Sequence, residues 1–285
     1  MRKPGWLNKK IDFSRLRFVE KTLKDLNLYT VCQEARCPNI SECFHKNIAT
    51  FLILGNICTR DCSFCGVRKG RPLSPDIDEP ERVARAVRRL NLRFVVITSV
   101  CRDDLQDQGV SFFIDTIKKI RKLNSGVDIE TLIPDFSGDT NLIRALTKSK
   151  PKIINHNLET IKRLYPLLRK KSNYHRSLDV LHFIKTASPE VYTKSGIMLG
   201  FGEREDEVVR LLQDLRKVKC DFLSMGQYLA PTKGHFPVKK YIEKEQFEKY
   251  QKIALKLGFR HVISFPYARS SFAASSYTTS KSIID

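Results

Sequence analysis

Phe51-Leu52-Ile53-Leu54-Gly55-Asn56-Ile57-Cys58-Thr59-Arg60-Asp61-Cys62-Ser63-Phe64-Cys65 is the stretch on which the reading of this chain turns. Its apolar half, from Ala49 to Gly55, has the side chains and length of a buried strand, and the cysteines fall in the loop beyond the strand's C-terminal end. Parallel α/β folds gather ligand sites there, because the loops leaving successive strands converge on one face. Cys58, Cys62 and Cys65 form a C-x3-C-x2-C run, dense enough to read as a metal centre. Iron-sulfur loops of this density usually supply four protein ligands, so three thiolates leave one iron of a 4Fe-4S cubane open to a substrate. The alternatives are a zinc loop or buried thiols. Zinc would want a fourth nearby Cys or His, or a water at an open position. No Cys or His follows Cys65 until Cys101.

At 285 residues the chain has room for a large α/β core, and a single domain is expected. No apolar run approaches the roughly 20 residues needed to span a bilayer, so no membrane anchor is expected. Met1 to Lys10 is basic without the apolar core of a secretory signal, which points to a cytoplasmic location. Of eight cysteines, six fall in two tight groups, a pattern of metal binding in a reducing compartment rather than of disulfides. The net charge of +20 suits an acidic protein partner or nucleic acid, and equally a merely lysine-rich, solvated surface.

Outward from the cysteine loop, short apolar runs alternate with amphipathic stretches. Phe51 to Leu54, Phe94 to Ser99, Ile129 to Pro134, Ile153 to Leu158, Ser195 to Leu199 and Phe222 to Leu229 read as buried parallel strands. Glu81 to Leu90, Phe112 to Leu123, Leu142 to Thr147, Ser177 to Thr186, Glu205 to Val218 and Phe247 to Leu257 read as helices with charged outer faces. Arg260 to Phe265 is either a strand or an extended return to the active face. This order implies right-handed crossovers, in an open doubly wound sheet or a barrel.

Upstream, Cys32, Cys37 and Cys43 form C-x4-C-x5-C. Pro38 and Asn39 favour a turn and helix propensity is poor, so an irregular ligand-bearing segment is expected. A structural zinc site with His45 as fourth ligand is the plain alternative. The two cysteine groups, in this order, resemble the lipoyl synthases of the radical S-adenosylmethionine superfamily. The resemblance covers nearly the whole chain. It takes in Arg2-Lys3-Pro4 with Trp6-Leu7, Ala49-Thr50-Phe51, Gly70-Arg71-Pro72 and Ile97-Thr98-Ser99-Val100. It continues through Arg102-Asp103-Asp104-Leu105, Leu132-Ile133-Pro134-Asp135-Phe136, Asn155-His156-Asn157-Leu158-Glu159-Thr160 and Thr193 to Gly200. Gly226-Gln227-Tyr228-Leu229 and Arg269-Ser270-Ser271-Phe272 complete it.

The resemblance implies a partial (β/α)6 TIM-like barrel over residues 49–258. An N-terminal extension, 1–48, would carry the auxiliary-cluster cysteines, and a C-terminal extension, 259–285, the Arg-Ser-Ser motif. It implies two 4Fe-4S clusters and S-adenosylmethionine as cofactors. Cys58, Cys62 and Cys65 would hold the cluster whose open iron binds S-adenosylmethionine and whose electron cleaves it to a 5'-deoxyadenosyl radical. Cys32, Cys37, Cys43 and Ser271 would hold an auxiliary cluster that is consumed as the sulfur donor, with Ser270 as the fallback ligand. A serine oxygen is a harder donor than thiolate, which suits an iron that must be lost. The implied reaction inserts two sulfur atoms at C6 and C8 of an octanoyl chain on a lysine of a carrier protein. Octanoylated lipoyl-carrier domains and an electron donor such as ferredoxin or flavodoxin are the implied partners, and nucleic acid is not expected.

Cofactor contacts are expected from Thr98, Ser99, Asn155, Gly196, Gly200 and Glu203. The glycine-rich run from Gly196 to Glu203 resembles the superfamily's segment for S-adenosylmethionine, although composition alone suggests a strand-to-helix turn. Arg102, Asp103 and Asp104 suit a polar ligand, or Asp103 or Asp104 caps a helix. His156, near Asn157 and Glu159, lines the site or satisfies a buried hydrogen bond. Cys101 stands where the family usually has Asp, so Arg102 is expected to be held differently, and Phe272 replaces the commoner Tyr. Cys220 reads as a small buried hydrophobe. The rival enzyme is a two-cluster methylthiotransferase acting on RNA, for whose C-terminal RNA-binding domain the chain ends too soon. The non-enzymatic rival is a zinc-stabilised nucleic-acid-binding protein.

Overall fold

In the computed structural model, which describes residues 3–7, 14–45 and 48–279, strand and helix alternate through most of the chain. The order begins α1 (Ser14–Asp25), β1 (Tyr29–Thr30), α2 (Val31–Glu34), α3 (Ile40–His45), β2 (Thr50–Ile53), β3 (Ile57–Cys58) and β4 (Arg68–Lys69). It continues with α4 (Glu79–Arg89), β5 (Phe94–Ser99), α5 (Val110–Leu123), β6 (Asp128–Leu132), α6 (Thr140–Thr147), β7 (Ile153–Asn155) and α7 (Tyr165–Leu168). It closes with α8 (Tyr174–Ala187), β8 (Tyr192–Leu199), α9 (Glu205–Lys217), β9 (Phe222–Gln227), α10 (Lys244–Lys256), β10 (His261–Ser264) and α11 (Ser276–Thr279). Arg2 of the N-terminal motif lies outside the described residues.

The main sheet runs β1-β2-β5-β6-β7-β8-β9-β10, with β1 antiparallel to β2 and every other neighbour parallel. The stretch 260–265 thus resolves as a strand over its central four residues, and the sheet stays open between β1 and β10 among the described residues. Its curvature shows in one apolar cluster. Phe94 and Val96 of β5, Ile153 of β7 and Phe222 of β9 meet Ala274 and Tyr277 of the C-terminal segment, which fills the interior. The helices pack outside: α4 buries Val83, Ala84, Ala86 and Val87 and leaves Arg85, Arg88 and Arg89 in solvent. It starts two residues before the expected Glu81, because Pro80 suits a helix's first turn and Glu79 is drawn inward. No described helix is long and apolar enough to cross a membrane.

The expectation of an irregular segment around Cys32 to Cys43 is corrected: α2 carries Cys32 and α3 carries Cys43, with Cys37 in the turn between. Local capping and tertiary contact outweigh weak propensity here. The Thr30 hydroxyl accepts from Gln33 N–H at 3.4 Å, and buried Asn39 donates through Nδ2 to the Tyr267 carbonyl at 2.6 Å.

The barrel interior is not uniformly apolar. Lys194 of β8 and Glu130 of β6 are both fully buried, with Lys194 Nζ 3.0 Å from each carboxylate oxygen. Asn155 of β7, between them, donates to Glu130 Oε1 at 2.9 Å, and Nζ sits 4.0 Å from the centroid of the Tyr277 ring. Burial pushes the Lys194 pKa down, and the Glu130 charge opposes that.

The chain after β10 presses so closely on β9 that a Cβ on Gly226 would overlap the Ala268 carbonyl. Gly226→Ala is therefore expected to cost about 1–3 kcal/mol, as overpacking does, and to shift residues 268–271. Urea unfolding of the variant against the parent measures the first, and proteolytic sensitivity of the C-terminal segment the second.

Candidate metal and cofactor site

The cysteine loop begins at a strained turn. Leu54, just past β2, has φ +67 and Gly55 φ +82, so the chain reverses through left-handed backbone. Glu79 holds it there, accepting from Leu54 N–H at 2.7 Å. Burial raises the Glu79 pKa, and the amide bonds oppose the rise. The loop leaves as β3 and returns as β4, which pair in parallel, Cys58 opposite Lys69.

Neighbouring segments hold the loop on all sides. Thr59 N–H donates to the Cys101 carbonyl (3.1 Å), Ser63 N–H to Leu168 O (3.0 Å) and Phe236 N–H to Ser63 O (2.9 Å). His235 Nε2 contacts the Cys65 carbonyl at 3.0 Å. Inside the run itself, Arg60 is buried and paired with Asp103 (2.6 Å) and Asp135 (2.8 Å), and Arg176 takes the other oxygen of Asp135 (2.8 Å). Burial works against ionising Asp135, yet Arg60, His156 and Arg176 keep its carboxyl below the usual range. Neither Asp103 nor Asp104 caps a helix, since Asp103 holds Arg60 and Thr59 while Asp104 holds Arg102. Asp107 does the capping at α5, accepting from Gly109 and Ser111 N–H.

The thiols differ. The Cys58 pKa is lowered to about 6, first by the Cys101 side chain hydrogen-bonded to it, then against burial by the N–H groups of Arg60 (3.4 Å) and Cys101 (3.3 Å). Burial raises Cys62, and raises Cys65 to about 12. Cys32 is likewise raised by burial and by its neighbours Cys37 and Cys43. Cys101 thus serves as a donor to Cys58, and Arg102 turns to Asp104 and the Leu54 carbonyl. Cys220 is buried among apolar side chains.

Members of both cysteine groups and the Arg-Ser-Ser motif open on one cavity of about 420 Å³, which Cys43, Cys58 and Cys62 do not line. Cys32 and Cys37 line it from the N-terminal segment, Cys65 from the loop, and Arg269, Ser270 and Ser271 from the C-terminal segment. Leu132, Ile197, Met198, Leu229, Ala230 and Pro231 form an apolar wall, and Asn157 and Glu159 a polar one. Ser270 donates to Asn157 Oδ1 at 2.9 Å, and a Cβ on Gly196 would run into both. Ser271 has no hydrogen bond to its hydroxyl among the described residues. Among those residues no three Cys, His, Asp or Glu side chains close on a single metal ion. Soft thiolates spread around a cavity fit a cluster of several irons better than a tetrahedral zinc site. The side chain of His45 lies outside the described residues.

The expected cofactor contacts divide. Gly196 does not itself line the cavity, but it lies directly behind Ser270, Asn157 and Ser224, which do. Thr98 spends its hydroxyl on the Leu132 carbonyl at 2.9 Å, and Ser99 Oγ and Asn155 Oδ1 are buried with no partner among the described residues. Gly200, at φ +115, makes the turn after β8, and Glu203 accepts from Gly200 and Phe201 N–H, so it holds that turn. Burial raises Glu203 as it does Glu159, whose rise Arg169, Asn157 and Arg269 oppose. Arg60 and Arg169 were not singled out by sequence. Arg169 is buried and donates to Asn157 O (3.0 Å), Leu158 O (3.2 Å) and Tyr165 Oη (2.9 Å). Only position, Arg60 between two ligand-spaced cysteines, offered a signal.

Comparison with known proteins agrees with this geometry. The Radical SAM superfamily model matches residues 52–215. Lipoyl synthase of Caldicellulosiruptor saccharolyticus is 50% identical over 278 residues, 97% of this chain and 98% of that one. This chain belongs to the lipoyl synthase family. Lipoyl synthases of Geotalea uraniireducens (54%, 97% of each chain) and Aquifex aeolicus (50%, 93% and 96%) are similar over the same span. Among solved structures, methylornithine synthase PylB is similar with a TM-score of 0.56 at 14% identity, covering 90% of this chain and 79% of that one. The hydrogenase maturase HydG gives 0.57 at 14%, covering 87% and 67%. At such identity these two bear on the fold, the α/β partial barrel of radical SAM proteins. As a lipoyl synthase, the chain has neither the RNA methylthiotransferase nor the zinc-protein identity.

His156 sets a pH limit on this lipoyl synthase. It is fully buried, its Nδ1 contacts the Ile133 carbonyl at 2.9 Å, and Nε2 has no partner among the described residues. Burial first, then Arg169, lowers its pKa from 6.5 to about 4. The unfolded chain then binds the proton first on acidification, so stability is full above pH 6.5 and falls towards about pH 4. The expected loss is about 3 kcal/mol. Urea unfolding at pH 7 and pH 5 should show a smaller acid loss in His156→Asn than in the parent.

Proposed function

We propose that this enzyme makes the lipoyl group by radical insertion of two sulfur atoms at C6 and C8 of a protein-bound octanoyl-lysine. What carries the reading is the single cavity onto which Cys65, Cys32, Cys37 and Ser271 all open, in a chain of this family. Cys58, Cys62 and Cys65 would hold the cluster that cleaves S-adenosylmethionine, and Cys32, Cys37, Cys43 and Ser271 the auxiliary cluster. Bound there, these groups supply one-electron chemistry for removing unactivated hydrogens and the two sulfur atoms that replace them. The chain's own residues do the rest. Leu132, Ile197, Met198 and Leu229 offer an octanoyl chain an apolar path and exclude water. Asn157, Glu159 and Arg269 offer hydrogen bonds and charge to a polar cofactor, and the missing Cβ of Gly196 leaves room for the Ser270 and Asn157 side chains that meet there. Thr98, Ser99, Asn155, Gly200 and Glu203 then act mainly by shaping the strand ends around it. Ser271 is preferred to Ser270 because the hydroxyl of Ser270 is already committed to Asn157.

We read the chain as an extension over 1–48, a barrel over 49–258 and an extension over 259–285. Backbone pairing of β1 to β2 and of β10 to β9 would tie both extensions to the barrel. The working surroundings would be the cytoplasm, with octanoylated carrier domains and a low-potential donor such as ferredoxin or flavodoxin as partners. The test is anaerobic incubation with S-adenosylmethionine, reductant and an octanoyl-lysine peptide, followed by mass spectrometry. Thiolated and then dithiolated peptide is expected. Deoxyadenosine without sulfur in the peptide would send the assignment to another substrate.

A further inference from the structure

One side of the cysteine loop faces away from the cavity. Cys65 lines the chamber, whereas Cys58 does not. Cys58 lies instead in the two-stranded ribbon of β3 and β4, opposite Lys69, and its carbonyl accepts from Gly70 N–H at 3.0 Å. The outer strand of that ribbon is solvent-exposed and basic, with Arg68 and Lys69 on it and Arg71 exposed just beyond it. None of the three has an ion-pair partner among the described residues. The nearby Asp76 does not cancel them, because Arg82 holds it at 2.7 Å. The same segment then displays Leu73 and Ile77, 83% and 84% exposed, the two most exposed large apolar side chains described. Pro72, just before Leu73, and Pro75, between the two, stiffen the backbone. Exposed cations flanking Gly70, one backbone hydrogen bond from a ligand-type cysteine, and followed along the chain by two exposed apolar side chains, match the small, charge-steered interfaces of transient redox partners.

We propose that the β3–β4 ribbon and the loop through Ile77 form the docking face for an acidic one-electron carrier protein, which delivers its electron past Cys58. The proposal rests on the reading that Cys58 ligates the cluster. In the step itself the reduced carrier loses one electron and the cluster gains it, and no bond is made or broken. The location also has a functional sense. The electron enters from a side that does not line the cavity, so an octanoyl chain can occupy the cavity, lined by Lys3, Arg36 and Pro231 among others, at the same time.

The test compares the parent with the double variant Arg68→Glu, Lys69→Glu and with Leu73→Ser, whose side chains lie in solvent. Flavodoxin, an acidic flavoprotein, is the probe. Titration of oxidised flavodoxin into the cluster-loaded protein, followed by flavin fluorescence, should give a Kd at least about tenfold weaker for the charge variant, with most of the salt dependence gone. Leu73→Ser should weaken binding less and keep the salt dependence. Thiolation of the octanoyl-lysine peptide should fall in parallel with reduced flavodoxin as donor and stay at the parent rate with dithionite, which needs no docking. Equal flavodoxin affinity in parent and charge variant would overturn the proposal. So would a charge variant that fails only with an intact octanoylated carrier domain under dithionite, since the face would then be the carrier's. A parent that gives no thiolated peptide even with dithionite refutes the reading of Cys58 instead.

Discussion

Cys37→Ala is expected to separate the two halves of the reaction: deoxyadenosine continues to form while thiolated peptide falls below detection. Cys37 sits in the turn between α2 and α3, and its N–H donates to the Cys32 carbonyl at 2.9 Å. Its side chain contributes to the N-terminal wall of the cavity and to nothing in the β3–β4 loop. Removing it takes a donor from the auxiliary group only. Cys58→Ala should instead abolish both products, because the loop loses a thiol that receives hydrogen bonds from Arg60 and Cys101. Ser271→Ala should resemble Cys37→Ala in kind, and Ser270→Ala should disturb Asn157 without removing a ligand. Quantifying deoxyadenosine and peptide sulfur in one reaction checks all four. Loss of deoxyadenosine in Cys37→Ala would mean that the two cysteine groups do not act separately.

Lys194→Met is expected to destabilise the fold by about 3–5 kcal/mol, because it leaves Glu130 charged, buried and uncompensated. The pair has no exposure on either side, and Asn155 and the Tyr277 ring complete its surroundings. The double change Lys194→Met, Glu130→Gln should recover much of the loss, since a buried pair itself adds little net stability. The consequence reaches the site. Tyr277 packs on Lys194 and donates through Oη to the Leu223 carbonyl (3.2 Å), so the segment bearing Ser271 is anchored from inside the barrel. Denaturant unfolding of the two variants measures the first effect, and iron content after reconstitution the second.

These two sites differ in how legible they are in the sequence. Strands such as Phe94–Ser99 announce themselves by continuous apolar runs, and Cys58, Cys62 and Cys65 by spacing, since both signals are local. Lys194 and Glu130 carry no local signal. Each reads as a surface residue until the barrel brings β6 and β8 to either side of β7. Arg60 is similar, because its partners Asp103 and Asp135 come from the ends of two other strands. Helices α2 and α3 escaped for a different reason. Their sequence favours turns, and the decisive bonds come from Thr30 and from Tyr267, more than two hundred residues away. The capping role expected of Asp103 or Asp104 went to Asp107, which is nearer the start of α5. What the sequence left open was thus decided partly by caps a few residues away, as at Thr30 and Asp107, and partly by contacts between distant segments, as at Asn39, Arg60 and Lys194.

The most direct test of the shared cavity as a sulfur-insertion chamber is a single turnover with isotopically heavy clusters. The protein is reconstituted with iron and heavy sulfide, freed of excess sulfide, and given S-adenosylmethionine, reductant and the octanoyl-lysine peptide in light sulfide. Two heavy sulfur atoms in each dithiolated peptide are expected, with at most one peptide per protein. Light sulfur in the product would contradict the assignment of Cys32, Cys37, Cys43 and Ser271 to a cluster that is the donor.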